Sequence, residues 1–76
     1  MSKPSEEQAI LAKGAWSDSY LFYLKYHGKP ENEGFWERVL EDYEAIVKKY
    51  QGARICRKLM QAAYGQLEDE KDRERT

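Results

Sequence analysis

The sequence predicts an all-α fold: a small bundle of three to four helices on an up-down path, with a frayed, charged C-terminal tail. Apolar residues recur at three- and four-residue steps through the middle and last thirds of the chain, the spacing of one helix face. Residues that start and stop helices bracket these stretches. The one stretch rich in strand-forming aromatics, Ser19–Tyr26, has no second strand nearby to pair with, so its sheet propensity does not decide its structure.

Residues 1–4 are expected as a loose N-terminus. Ser5 and Gln8 match a capping box, and Glu6 and Glu7 fill the first turn of a short helix over 6–13. Gly14 weakens that helix by about 1 kcal/mol relative to alanine. Ser17, Asp18 and Ser19 then offer a new N-cap, so a second helix is predicted over 17–27. One bent helix across Gly14 is the alternative. In the second segment Trp16, Tyr20, Tyr23, Leu24 and His27 share a face, while Leu21, Phe22 and Tyr26 point elsewhere. A helix apolar nearly all round is central to a fold or part of an interface.

Gly28 and Pro30 end that segment. The next helix, 33–50, has the strongest pattern. Trp36, Val39, Leu40, Tyr43, Ile46, Val47 and Tyr50 fall within a sector of about 120° at 100° per residue. Asn32 is its expected N-cap, and Lys48 and Lys49 suit its negative end. Ile55, Cys56, Leu59, Met60, Ala63 and Leu67 form a further stripe, about 180° out of phase with the previous one on a continuous helix. A break at Gln51–Gly52 lets both stripes face one core, which puts a last helix at 53–68. Residues 68–76 hold five acids, three bases and no apolar side chain, so 69–76 is expected as a flexible charged tail. No internal repeat is evident. The predicted core is Trp36, Leu40, Tyr43, Val47, Leu24, Tyr20, Leu59 and Ala63.

Seventy-six residues make one domain, 1–76. A chain this short buries only about 60% of its unfolded surface, so its stability is marginal. With one cysteine and one histidine, neither an intrachain disulfide nor a Cys/His zinc site is available to support it. Association with a partner is the remaining common support. Thirteen basic against 14 acidic residues give a formal charge of −1, which argues against wholesale nucleic-acid or membrane binding. The N-terminal sequence has no apolar signal region, and Tyr20–Tyr26 is too short to span a bilayer. A cytoplasmic protein is expected.

No enzyme signature is present, so no catalytic, metal or cofactor residue is assigned. His27 has no nucleophile and carboxylate arranged around it in a recognisable motif, and it reads as a helix-terminal residue favourable to the dipole. Cys56 lies on an apolar stripe and reads as a core thiol. The glycines match neither dinucleotide nor P-loop spacing. The carboxylates at 37–44 read as a solvated face with ordinary i,i+4 ion pairs.

Two functions remain. The first is a protein–protein interaction module, expected to form a homodimer. Phe22 and Tyr26, pointing away from the predicted core, are its candidate interface together with Tyr64 at the edge of the last stripe; cover by the first helix is the alternative. The second is a DNA- or RNA-binding regulator. Between Ala45 and Leu67 there is no acidic residue, and Lys48, Lys49, Arg54, Arg57, Lys58 and Gln61 form a basic corner loosely compatible with helix-turn-helix contact.

Overall fold

The computed structural model describes residues 4–75, with side chains from 6 to 74. Three helices make up the fold: α1 (Pro4–Tyr26), α2 (Phe35–Lys49) and α3 (Arg54–Arg75). The described residues contain no strand. Of the expected loose N-terminus, residues 1–3 lie outside the described residues, and Pro4 already begins α1. The Ser5 cap also lies outside the described side chains.

α1 runs unbroken through Gly14, so the predicted division into helices 6–13 and 17–27 is corrected to one helix. The supposed second cap is otherwise employed. Ser19 Oγ donates to the Trp16 carbonyl at 3.0 Å, one turn back in the same helix. Asp18 faces α2 and accepts from Lys49 and Tyr50. Gly14 is a site of close approach rather than a breaker. A Cβ built there would lie 2.6 Å from the Tyr50 hydroxyl oxygen.

The turn into α2 is closed by Gly34, whose φ of 79° suits a residue without a Cβ. The expected side-chain cap by Asn32 is replaced: its carbonyl accepts from Phe35 N, and its side-chain oxygen accepts from Arg38. α2 ends in a Schellman-type closure, with Gly52 N donating to Val47 O and Gln51 N to Lys48 O. Both Gln51 and Gly52 take positive φ, which produces the predicted break before α3.

The fully buried core consists of Ala15, Phe22 and Tyr26 from α1, Phe35 and Val39 from α2, and Cys56, Met60 and Leu67 from α3. Among the predicted core residues, Trp36, Tyr43, Val47, Leu59 and Ala63 are partly buried against it. Tyr20, Leu24 and Leu40 are corrected to exposed positions. On α2 the stripe is right but rotated toward Phe35, which leaves Leu40 at its edge. On α1 a neighbouring face turns inward, carrying Ala15, Ser19, Phe22 and Tyr26. Small Ala15 and Ser19 let the neighbouring helices approach, and Tyr26 is buried with its hydroxyl satisfied by Asp42 and the Arg38 carbonyl.

The expected flexible tail over 69–76 is also corrected, since α3 stays helical through Arg75. Lys71 continues the α3 stripe one turn past Leu67 and is buried. Its Nζ donates to the Lys29 carbonyl at 2.5 Å and lies 5.2 Å from the Phe35 ring centre. An amine counted as tail thus fastens the α1–α2 turn onto α3.

Contacts from α1 to α2 run in reverse order along the two helices: Asp18 meets Lys49, Lys25 meets Asp42, and Tyr26 meets Arg38. Contacts from α1 to α3 run in the same order, with Trp16 and Tyr20 beside Leu59, and Tyr23 and His27 beside Glu70. The molecule measures 55 × 19 × 15 Å with a radius of gyration of 14.3 Å, against about 11 Å for a compact chain of this length. Since Gly14 packs at the C-terminal end of α2, the earlier turns of α1 extend past the bundle, and residues 6–10 are exposed.

Candidate functional site

Two of the three residues expected at a partner interface, Phe22 and Tyr26, lie inside the protein. Phe22 is 3% exposed and Tyr26 4%. Their cover comes from α2, not from an N-terminal lid. The Phe22 ring meets Tyr43 edge-on at 6.2 Å, and Tyr26 meets Phe35 at 5.6 Å. Tyr64 is half-buried and stacks edge-on with Trp36 and Tyr43 at 5.5 and 5.9 Å. Phe22 and Tyr26 are therefore corrected from interface to core, and half-buried Tyr64 joins a row of aromatic rings with Trp36 and Tyr43. The basic corner is exposed at all six positions, Lys48, Lys49, Arg54, Arg57, Lys58 and Gln61, and Lys49 is paired with Asp18.

The surface apolar groups belong mainly to the other side of α1. Trp16 is 59% exposed, Tyr20 and Leu21 are each 61% exposed, and Leu24 and Ile10 are also open. Trp16 and Tyr20 line one groove and Leu21 lines another. The first lies between α1 and α3, encloses about 310 Å³, and sets Trp16, Tyr20 and Tyr23 against Leu59, Ala62 and Ala63. Ala62 and Ala63 keep it open because they add little side-chain bulk.

A polar cluster closes one end of this groove. Tyr23 Oη donates to Glu70 Oε2 at 2.5 Å, His27 Nδ1 lies 2.8 Å from Glu70 Oε1, and Gln66 Nε2 donates to Oε2 at 3.0 Å. The Tyr23 hydroxyl, then Gln66 and His27, hold the Glu70 carboxyl down at about 2. The same bond pushes the Tyr23 phenol up. His27 thus has a carboxylate partner that the sequence did not reveal, because Glu70 lay in the presumed tail. The cluster joins the C-terminal end of α1 to α3.

The second groove lies between α1 and α2, and its walls are built to one pattern. Asp18 Oδ2 accepts from Lys49 Nζ at 2.8 Å and from Tyr50 Oη at 2.6 Å. Asp42 Oδ2 accepts from Lys25 Nζ at 2.6 Å and from Tyr26 Oη at 2.5 Å. Each lysine also sits over the ring of the tyrosine that follows it, at 5.4 Å for Lys25 and 5.5 Å for Lys49. Asp18, Lys25, Tyr26 and Gly28 recur as Asp42, Lys49, Tyr50 and Gly52, each 24 residues later. The groove encloses about 340 Å³, and its lining obeys the same offset: Asp18, Leu21, Phe22 and Lys25 on α1 against Asp42, Ala45, Ile46 and Lys49 on α2. The expectation of no internal repeat is corrected to this extent. The signal was the spaced string D-x6-K-Y-x-G in two copies, too sparse to stand out without knowing that its members meet.

The charges in this second groove reinforce one another. The hydrogen bond from Lys49, then that from Tyr50, lowers the Asp18 carboxyl; Lys25 and then Tyr26 lower that of Asp42. Both lysine ammonium groups are raised in return, each chiefly by its aspartate. The Tyr26 phenol is raised first by burial, that of Tyr50 first by its bond to Asp18.

Cys56 is buried, with Sγ 3.8 Å from the Ile46 carbonyl, and burial pushes its thiol up, away from the reactive thiolate. Among the described residues no group of three or more His, Cys, Asp and Glu is placed to hold a metal, and no helix is long and apolar enough to cross a membrane. The molecule is thus a small three-helix domain with two grooves beside one over-apolar helix. No protein-family model, curated protein or solved structure matches the chain.

Proposed function

We propose that this protein is a helical protein–protein interaction module of the cytoplasm that associates with a second copy of itself. The observation that carries the reading is the surface of α1. In an up-down bundle this helix already packs on two sides, yet it presents Trp16, Tyr20, Leu21 and Leu24 outward. Contiguous exposed apolar surface of this kind marks interaction sites, and aromatic residues are enriched in them. Closed two-fold dimers are the commonest form of self-association. Light scattering coupled to size exclusion tests this: the expected mass is twice the 9.0 kDa of the chain. A mass of one chain at every concentration from micromolar to millimolar overturns the reading.

Nucleic-acid contact through the basic corner is the second reading. It is supported by the open positions of Lys48, Arg54, Arg57 and Lys58 around the α2–α3 turn. Retention on DNA that weakens steeply with salt is its expected signature, and absence of retention at about 50 mM salt, where electrostatic binding is strong, removes it.

A further inference from the structure

We infer that the two copies meet through the α1/α2 groove, about a two-fold axis parallel to the helices, so that α1 of each copy lies over α2 of the other. The inference rests on self-association and names the surface that performs it.

The rim of the groove is a rectangle of alternating charge. Asp18 and Lys25 stand seven residues apart on α1, about 10 Å at 1.5 Å per residue. Asp42 and Lys49 stand at the same spacing on α2. Because α2 runs against α1, Lys49 lies beside Asp18 and Asp42 beside Lys25. The signs therefore alternate around the four corners. A second rectangle turned over about a line parallel to the helices brings every aspartate onto a lysine: Asp18 of one copy over Lys49 of the other, and Lys25 over Asp42. This is the register that α1 and α2 already adopt within each chain. The second copy's α1 thus meets α2 by a pairing that the fold has already made once.

The floor of the rectangle fits the same rotation. Leu21 stands on α1 with most of its surface open, and the equivalent position on α2 is exposed Ala45. A two-fold axis across the helices would also match the charges but sets Leu21 over Leu21. The axis parallel to the helices carries Leu21 of one copy over Ala45 of the other, where the small side chain leaves a hollow. By symmetry the contact forms twice. Apolar burial at Leu21 supplies the attraction. The corner charges are solvent-exposed pairs that add little affinity but select the register and disfavour slipped ones. The α1/α3 groove offers no such match, since its polar groups, Tyr23, His27, Gln66 and Glu70, gather at one end.

The test uses the full chain with Leu21→Glu, Ala45→Lys and Ala62→Glu, all at exposed helical positions, with folding of each checked by circular dichroism. Leu21→Glu and Ala45→Lys alone are each expected to weaken the dimer at least about tenfold, as loss of a central contact does. Their equimolar mixture is expected to restore it. One contact then sets the introduced acid over the introduced base, and the other keeps the original Leu21 over Ala45. Ala62→Glu, in the α1/α3 groove, is expected to leave the dimer intact. A wild type that never dimerises overturns self-association and this surface with it. A wild-type dimer that survives Leu21→Glu, dissociates with Ala62→Glu, or is not restored by mixing overturns this surface alone.

Discussion

Gly14→Ala is the substitution on which sequence and structure disagree most sharply. By helix propensity alone, alanine in the middle of α1 should stabilise the protein by about 1 kcal/mol. Packing against α2 opposes that gain. The new Cβ would lie 2.6 Å from Tyr50 Oη and 3.2 and 3.3 Å from the adjoining ring atoms. The first distance is too short to persist, so the ring must move away from α1. Its hydroxyl then leaves Asp18 Oδ2, now 2.6 Å away. A hydrogen bond to a charged group contributes about 1.5–3 kcal/mol, so the net expectation is a loss of about 0.5–2 kcal/mol after the propensity gain is subtracted. In a domain of this size each kcal/mol lowers the melting temperature by about 4–8 °C. Thermal melts of wild type, Gly14→Ala, Tyr50→Phe and the double variant check this. In the Tyr50→Phe background the hydroxyl and its bond are already gone, so Gly14→Ala should cost far less or stabilise, with a coupling of about 1.5–3 kcal/mol between the two sites. Equal and additive gains from Gly14→Ala in both backgrounds would refute the reasoning.

Two further outcomes separate this core and this charge arrangement from others. Met60→Ala should cost about 2–5 kcal/mol, the range for a fully buried side chain, whereas Leu40→Ala should cost less, about 1–2 kcal/mol, because nearly half of that residue stays exposed; denaturant melts showing the reverse order would place the α2 stripe back where periodicity put it. Glu70 ionises near 2 in the fold against an ordinary 4.5, so the fold favours the carboxylate. Its contribution is complete above about pH 4.5 and is lost as pH falls toward 2. Glu70→Gln should therefore lower the melting temperature at neutral pH and flatten its decline between those values. Asp18 and Asp42 keep their own share of the acid decline in both proteins, and superimposable pH profiles for wild type and variant would remove the role assigned to Glu70.

The sequence by itself determined the helical class, the break at Gln51–Gly52, and the inward face of α3. Each rests on local physics: apolar residues at helical spacing, and a turn whose residues take positive φ. The phase of α1 was not legible, because a helix with Trp16, Tyr20, Phe22 and Tyr26 around its circumference offers several faces of similar apolarity. Tertiary contacts chose among them. Ala15 and Ser19 admit the neighbouring helices, and the Tyr26 hydroxyl finds Asp42. The same limit hid the role of Gly14, whose missing Cβ matters only because Tyr50 arrives there from 36 positions down the chain. It also hid the tail, where a composition suited to disorder is held helical in part by Lys71 on the Lys29 carbonyl and Glu70 on Tyr23. Periodicity records which residues a helix can bury. Which of them it does bury, and which charges meet across a groove, depends on partners distant in sequence, and only the packed structure brings those partners together.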